Sequence, residues 1–379
     1  MLSKQIYLDY AATTPVDERV LQKMNACMTL RGIFGNPGSL THDFGQEAAA
    51  QVASARQQVA NLLGVEARTL IWTSGATEAN NLAIQGLAHS IYGKKHIVTS
   101  EAEHASILDT CHALETQGFE ISYLKPDTRG IISSEQLKAL LRPDTLMVSM
   151  MHANNETGVL QDIEAIGALT REREIFFHVD AVQSVGKIPL DLKKLPIDLL
   201  SLSAHKLYGP KGMGALYVGA WPRVKLQPLL FGGKQERGLR PGTLATHQIV
   251  GMGEACYVAQ QNLIQESRMI TSLRERLWQG IQSLKGVRLN GHPTQKVAGI
   301  LNVCFSHMEQ KALLEAFKGL AVSTAAACHA DTTEPSHVLR AMGLSDIDAH
   351  RSIRFSIGRM TTIEEIDQTI EIIKRCYVC

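Results

Sequence analysis

The sequence predicts an α/β fold with a mainly parallel seven-stranded sheet and a smaller α+β unit, on three observations. Between residues 69 and 218, short apolar segments alternate with helical patterns, the rhythm of strands joined by crossover helices. Several of these segments are apolar on both faces, as in Thr145-Leu-Met-Val-Ser-Met-Met151, which suits strands covered by helices on both sides. After Gly286 the pattern changes to short strands alternating with helices, the mark of a separate α+β unit.

Seven strands are expected: Thr69–Ser74, His96–Ser100, Glu120–Lys125, Thr145–His152, Glu174–Asp180, Leu199–Ser203 and Gly214–Val218. A long helix, roughly Ile249–Leu284, has apolar positions at helical spacing and little Gly or Pro, and is expected to lead out of the large unit. Beyond it, strands are predicted at Leu301–Phe305 and Ile353–Ile357, and helices at Glu309–Leu320 and Thr362–Tyr377.

At about 150 residues per domain, 379 residues make two to three domains. A hydrophobic fraction of 45% supports a sizeable core and sets disorder aside. Lys and Arg number 38 against 37 Asp and Glu, so no electrostatic argument favours direct nucleic-acid or anionic-membrane binding. No apolar run reaches the roughly eighteen residues of a membrane span, and the first residues lack a signal-peptide apolar core. A soluble, cytoplasmic chain is expected. Seven scattered cysteines do not form a dense disulfide framework. Cys376 and Cys379 have CxxC spacing, but redox motifs of that kind follow a strand and open a helix. No Gly-Lys pair continues into a P-loop, no GxGxxG opens a helix after a strand, and no zinc pattern appears.

Chemistry gathers at the strand ends, where open α/β sheets bind ligands. The strand Ile175-Phe-Phe-His-Val-Asp180 ends in a carboxylate, and Gln183 follows one turn later. The next strand, Leu199–Ser203, breaks into Ala-His205-Lys206. Asp180 and Lys206 alone are compatible with a plain ion pair. Thr73-Ser-Gly-Ala-Thr-Glu78 adds a glycine turn leading into a helix whose free N–H groups can hold a phosphate. Together these describe a pyridoxal phosphate (PLP) site. Lys forms a Schiff base there, Asp keeps the pyridine nitrogen protonated, and a helix N-terminus takes the phosphate.

The segments Tyr7-Leu-Asp-Tyr-Ala-Ala-Thr-Thr-Pro15, Phe34-Gly-Asn-Pro37, Thr73–Glu78, Asn154-Asn-Glu156, His178-Val-Asp-Ala-Val-Gln183, Ser203-Ala-His-Lys206 and Arg240-Pro-Gly-Thr243 closely resemble the cysteine desulfurases. The group is the NifS/IscS-like one of PLP fold type I, and the resemblance runs in order to about residue 365. It implies that Lys206 carries PLP and later shuttles protons, that Asp180 pairs with the pyridine nitrogen, and that Gln183 bonds the ring hydroxyl. His104, in Glu101-Ala-Glu-His104, would stack on the ring and take part in proton transfer. Ala76, Thr77, Ser203 and His205 would bind the phosphate, and Thr243 would reach the phosphate of a neighbouring subunit, implying a homodimer. Large-domain limits of 14–260 are expected, with 1–13 and 261–379 forming the small domain.

For the substrate, L-cysteine, the resemblance implies that Arg354 binds the carboxylate with its planar fork, while Asn155 and Asn36 complete the pocket and Asn155 also contacts the cofactor. Cys328, in Ala325-Ala-Ala-Cys-His-Ala-Asp-Thr-Thr-Glu334, corresponds to the persulfide-forming cysteine. Its small-residue surroundings read as a mobile loop. As thiolate it would take the substrate sulfur, release alanine and pass the sulfur to an acceptor protein. Departures from the family pattern are Ala325-Ala326 in place of Gly-Ser, with Pro241 and Gly38 at positions more often serine or another small residue. The chain also lacks the C-terminal extension that relatives use to dock an iron–sulfur scaffold, so a dedicated acceptor is expected, such as one for tRNA thiolation or DNA sulfur modification. Two other readings stand beside this one: a selenocysteine lyase or other fold type I lyase, and an inactive scaffold homologue.

Overall fold

The structure, a computed structural model, describes residues 5–219, 224–324 and 334–377. The strands are β1 (Ile6–Tyr7), β2 (Leu70–Thr73), β3 (His96–Ser100), β4 (Glu120–Leu124), β5 (Thr145–Met151), β6 (Phe176–Asp180), β7 (Leu199–Ser203), β8 (Gly214–Val218), β9 (Val287–Asn290), β10 (Ile300–Phe305), β11 (Leu320–Ala321), β12 (Ser323–Thr324) and β13 (Ser352–Ser356). The longer helices are α1 (Glu18–Asn25), α2 (Asp43–Leu63), α3 (Ala76–Ala88), α4 (Ala105–Glu115), α5 (Ser134–Leu140), α6 (Ile163–Glu172) and α7 (Thr246–Ile281), with α8 (Gln310–Ala316), α9 (His337–Ala341), α10 (Asp346–His350) and α11 (Ile363–Tyr377) completing the chain.

The seven expected strands form one sheet in the order β2-β8-β7-β6-β5-β3-β4. Only β8 runs against the others. Every residue of β3, β5 and β7 is buried, as expected of strands sandwiched between helices. The strand expected from Glu174 begins at Phe176 because Glu174 lies in the left-handed region, φ 54°, and closes the turn after α6. The long helix starts earlier than expected, at Thr246, and packs against α1, α2 and α11.

The smaller sheet has the order β12-β13-β10-β9 and is antiparallel throughout. The helix expected to reach Leu320 stops at Ala316. Leu320–Ala321 pairs instead in parallel with Ile6–Tyr7, a partner more than three hundred residues away that no local periodicity reveals. Two apolar clusters pack the large sheet, one on each face. Another joins Ile6 and Leu8 to Leu273, Phe305, Phe355 and Ile373.

The N-terminal segment positions the site. Thr14 N–H donates to the His205 carbonyl at 3.0 Å, and the Tyr208 N–H donates to Thr14 Oγ1 at 2.9 Å. Residues 11–14 thus lie across the turn that follows β7. Among the described residues, no helix is long and apolar enough to cross a membrane.

Candidate active site at the carboxyl ends of the strands

Asp180 closes β6 at the floor of a cleft of about 560 Å³. Its carboxylate is held by two donors: Val182 N–H to Oδ1 at 3.0 Å and Asn80 Nδ2 to Oδ2 at 2.9 Å. Asn80 also donates to Ser106 Oγ, so α3 and α4 both fix the orientation of the acid. β7 ends at Ser203, and the single helical turn Ala204–Lys206 brings Lys206 into the same cleft. Lys206 Nζ donates to the carbonyls of Ala11 and Ala12, both at 2.7 Å.

Opposite them stands the start of α3. Its cap is Gly75, φ 156°, which supplies no side-chain acceptor, so first-turn amides face the cleft unclaimed by any cap. Gly214 lets β8 come close: a Cβ there would lie 2.7 Å from both Gly75 Cα and the Leu202 carbonyl oxygen. Ala76, Thr77, Ser203, His205 and Lys211 line this end. His205 Nδ1 lies 3.1 Å from Thr13 Oγ1. Burial, reinforced by Lys206 and Lys211, lowers the His205 pKa to about 4. The ring is therefore neutral at pH 7 and acts as a hydrogen-bonding group rather than a cation.

His104 caps α4, its Nδ1 accepting from the Ser106 N–H at 3.1 Å. Its ring lines the cleft. Desolvation draws its pKa down, opposed by Asp180 and reinforced by Lys206. At the far wall, Arg354 on β13 donates from Nη1 to the Asn155 carbonyl and from Nη2 to Asp9 Oδ1, both at 2.8 Å. Arg354 Nε and Asn155 Oδ1 are buried without a hydrogen-bond partner. Such groups are costly unless a ligand satisfies them.

Ten of the expected residues line this cleft: Ala76, Thr77, His104, Asn155, Asp180, Gln183, Ser203, His205, Lys206 and Arg354. Asn36 does not; it is exposed, its Oδ1 accepting from the Gly38 N–H at 2.9 Å. Thr243 is likewise exposed and outside the cleft of its own chain. Cys328 lies outside the described residues. Sequence reasoning did not single out Asp9, Thr13, Asn80 or Lys211, although Asp9 and Thr13 fall within the quoted Tyr7–Pro15 segment. Asn80 sits one turn into α3, and its spacing from Glu78 carries no signal of contact with Asp180.

The aminotransferase class-V family matches residues 6–369, and the chain belongs to that family. Its fold is the PLP fold type I, and its cofactor is PLP. Within the family it falls in the NifS/IscS-like group. A protein named cysteine desulfurase IscS from Aeromonas hydrophila is 56% identical over 370 residues, covering 97% of this chain and 92% of that one. The structure of DndA from Streptomyces lividans superposes with a TM-score of 0.80 at 42% identity, over 92% of this chain and 99% of that one. A structure described as SspA in complex with cysteine gives a TM-score of 0.83 at 38% identity, over 94% and 99% of the two chains.

The residues present fit the cofactor on the structure's own terms. A primary amine, a fixed carboxylate and an uncapped helix start share one cleft, with a glycine-lined backbone contact under the phosphate end. When bound, PLP supplies an electron sink for the bonds of an amino-acid substrate.

Proposed function

We propose that this chain is a PLP-dependent L-cysteine desulfurase whose site residues have the following roles. Lys206 anchors the cofactor and moves protons at the substrate's carbon skeleton. Asp180, held by Asn80 and Val182, pairs with the pyridine nitrogen, and the α3 N-terminus with Ser203 and His205 takes the phosphate. Gln183 bonds the ring hydroxyl, and His104 stacks on the ring. Arg354 and Asn155 receive the substrate carboxylate, offering the unpartnered Nε and a side-chain amide at one wall.

Cys328 takes the sulfur. The thiol and L-cysteine become a persulfide and L-alanine: the substrate C–S bond breaks, an S–S bond forms, the enzyme sulfur is oxidised and the substrate carbon is reduced. The proton count is unchanged across the reaction. The persulfide then passes to a thiol of an acceptor protein by exchange. Iron–sulfur cluster assembly, tRNA thiolation and DNA sulfur modification are all processes that consume sulfur in this form.

A cytoplasmic homodimer accompanies this reading, in which Thr243 reaches the phosphate of the neighbouring subunit. Leu30 and Phe231 are 84% and 85% exposed, and burial against a second copy would remove that apolar surface from water. The separation of the large-sheet clusters from the one joining Ile6 to Ile373 supports a division into 14–260 and 1–13 with 261–379.

The observation that carries the function is the convergence of Asp180, Lys206, the α3 start and Arg354 on one cleft. The test is to incubate the yellow enzyme with L-cysteine and a reductant, expecting alanine and sulfide in equal amounts. Cys328→Ser should keep the colour and form neither alanine nor persulfide. Alanine released by that variant at the parent rate overturns the sulfur-acceptor role.

A further inference from the structure

Behind Gln183 stands a second lysine that the reaction has not used. After β6 the backbone winds through a helical turn, with Val185 N–H donating to the Ala181 carbonyl and Ile188 N–H to the Ser184 carbonyl. Four residues apart on such a turn, Gln183 and Lys187 project to the same side. Lys187 Nζ donates to Gln183 Oε1 at 2.6 Å, and Gln183 Nε2 donates to the Ala11 carbonyl at 2.8 Å. That same carbonyl accepts from Lys206. One chain of contacts therefore runs Lys187, Gln183, Ala11, Lys206.

In its ammonium form Lys187 fixes the polarity of this chain. An ammonium donates and cannot accept, so it must face the amide oxygen. The Gln183 NH₂ group is thereby turned toward Ala11 and the cleft, with one N–H committed to the carbonyl and the other available. A charged donor on the oxygen also polarises the amide and strengthens its N–H groups as donors. Resting on the reading of Gln183 as a cofactor ligand, we infer that Lys187 is a positioning residue: it orients and polarises the Gln183 amide so that its N–H is presented to the hydroxyl of the bound cofactor.

Burial, with the charges of Lys206 and Arg354, draws the Lys187 pKa down to about 7. The amine keeps N–H donors for Oε1, but only the ammonium enforces the amide's orientation and polarises it. Lys187 also lines a narrow cavity of about 50 Å³, together with Lys206, Tyr208, Glu266 and Arg359.

The test reads the absorption of the resting holoenzyme as a function of pH, without substrate. Lys187→Met and Lys187→Leu should shift the midpoint of the colour change in the same direction as Gln183→Ala, by about half a pH unit. Adding either to Gln183→Ala should produce no further shift, the signature of two residues acting through one group. Lys187→Arg, which keeps the donor, should retain the parent midpoint. A lysine that merely fills space lowers the melting temperature of Lys187→Met but leaves its midpoint at the parent value, or shifts it equally in both backgrounds. Either result overturns the inference while leaving Gln183 as a ligand. An unchanged midpoint in Gln183→Ala removes that ligand, and the inference with it, without touching the roles of Lys206 and Asp180.

Discussion

His178 makes acid sensitivity calculable. The ring lies at the middle of β6, fully buried, with Nδ1 2.9 Å from Ser149 Oγ and Nε2 3.0 Å from Ser201 Oγ. Burial lowers its pKa from 6.5 to about 3, so the fold holds the neutral ring while the unfolded chain binds a proton first. Its contribution to stability is fully present above pH 6.5 and is lost as pH falls through the window from 6.5 to 3. The slope in that window is about 1.4 kcal/mol per pH unit, giving a loss of about 2 kcal/mol at pH 5 and about 3 kcal/mol at pH 4. His152, with a pKa lowered to about 4 by burial, titrates in the same direction and range. Urea unfolding of the holoenzyme, followed by circular dichroism at pH 4.5, 5.5, 6.5 and 7.5, measures the slope. His178→Asn should be less stable at neutral pH, because two buried hydroxyls lose their partner, yet its stability should fall with acid by one proton less than the parent. Parallel slopes for parent and variant refute the reasoning.

Three further outcomes follow from the site. Lys206→Ala should lose the absorption at the edge of the visible and all turnover, since no primary amine then holds the cofactor; a yellow, active variant places the anchor elsewhere. Asn80→Ala removes a charge-assisted bond to Asp180, so cofactor affinity, measured by fluorescence titration, should fall about tenfold, the equivalent of about 1.5 kcal/mol. Arg354→Lys replaces the planar fork by a point charge and should raise KM for L-cysteine about thirtyfold with a smaller change in kcat, from the loss of about 2 kcal/mol of bidentate binding. An unchanged KM assigns carboxylate recognition to another group.

Local sequence pattern suffices to specify the large sheet and the chemical cast of the site. Apolar runs such as Thr145–Met151 can be satisfied only between covering layers, and strand ends at Asp180 and Ser203 are marked by an abrupt change to polar residues. Local pattern suffices there because strand, turn and helix start are adjacent in the chain. Contacts between distant segments depend on the packed chain. Leu320–Ala321 became a strand because Ile6–Tyr7 supplied its backbone partners. Arg354 met Asp9 across 345 residues, and Asn80 met Asp180 across 100. The order β7-β6-β5-β3 sets the carboxyl ends side by side, and no sequence spacing encodes which side chains then fall within hydrogen-bond reach. Lys187 shows the division most plainly: its four-residue spacing from Gln183 is visible in the sequence, but only the packing of Ala11 against both Gln183 and Lys206 turns that spacing into a contact with the active site.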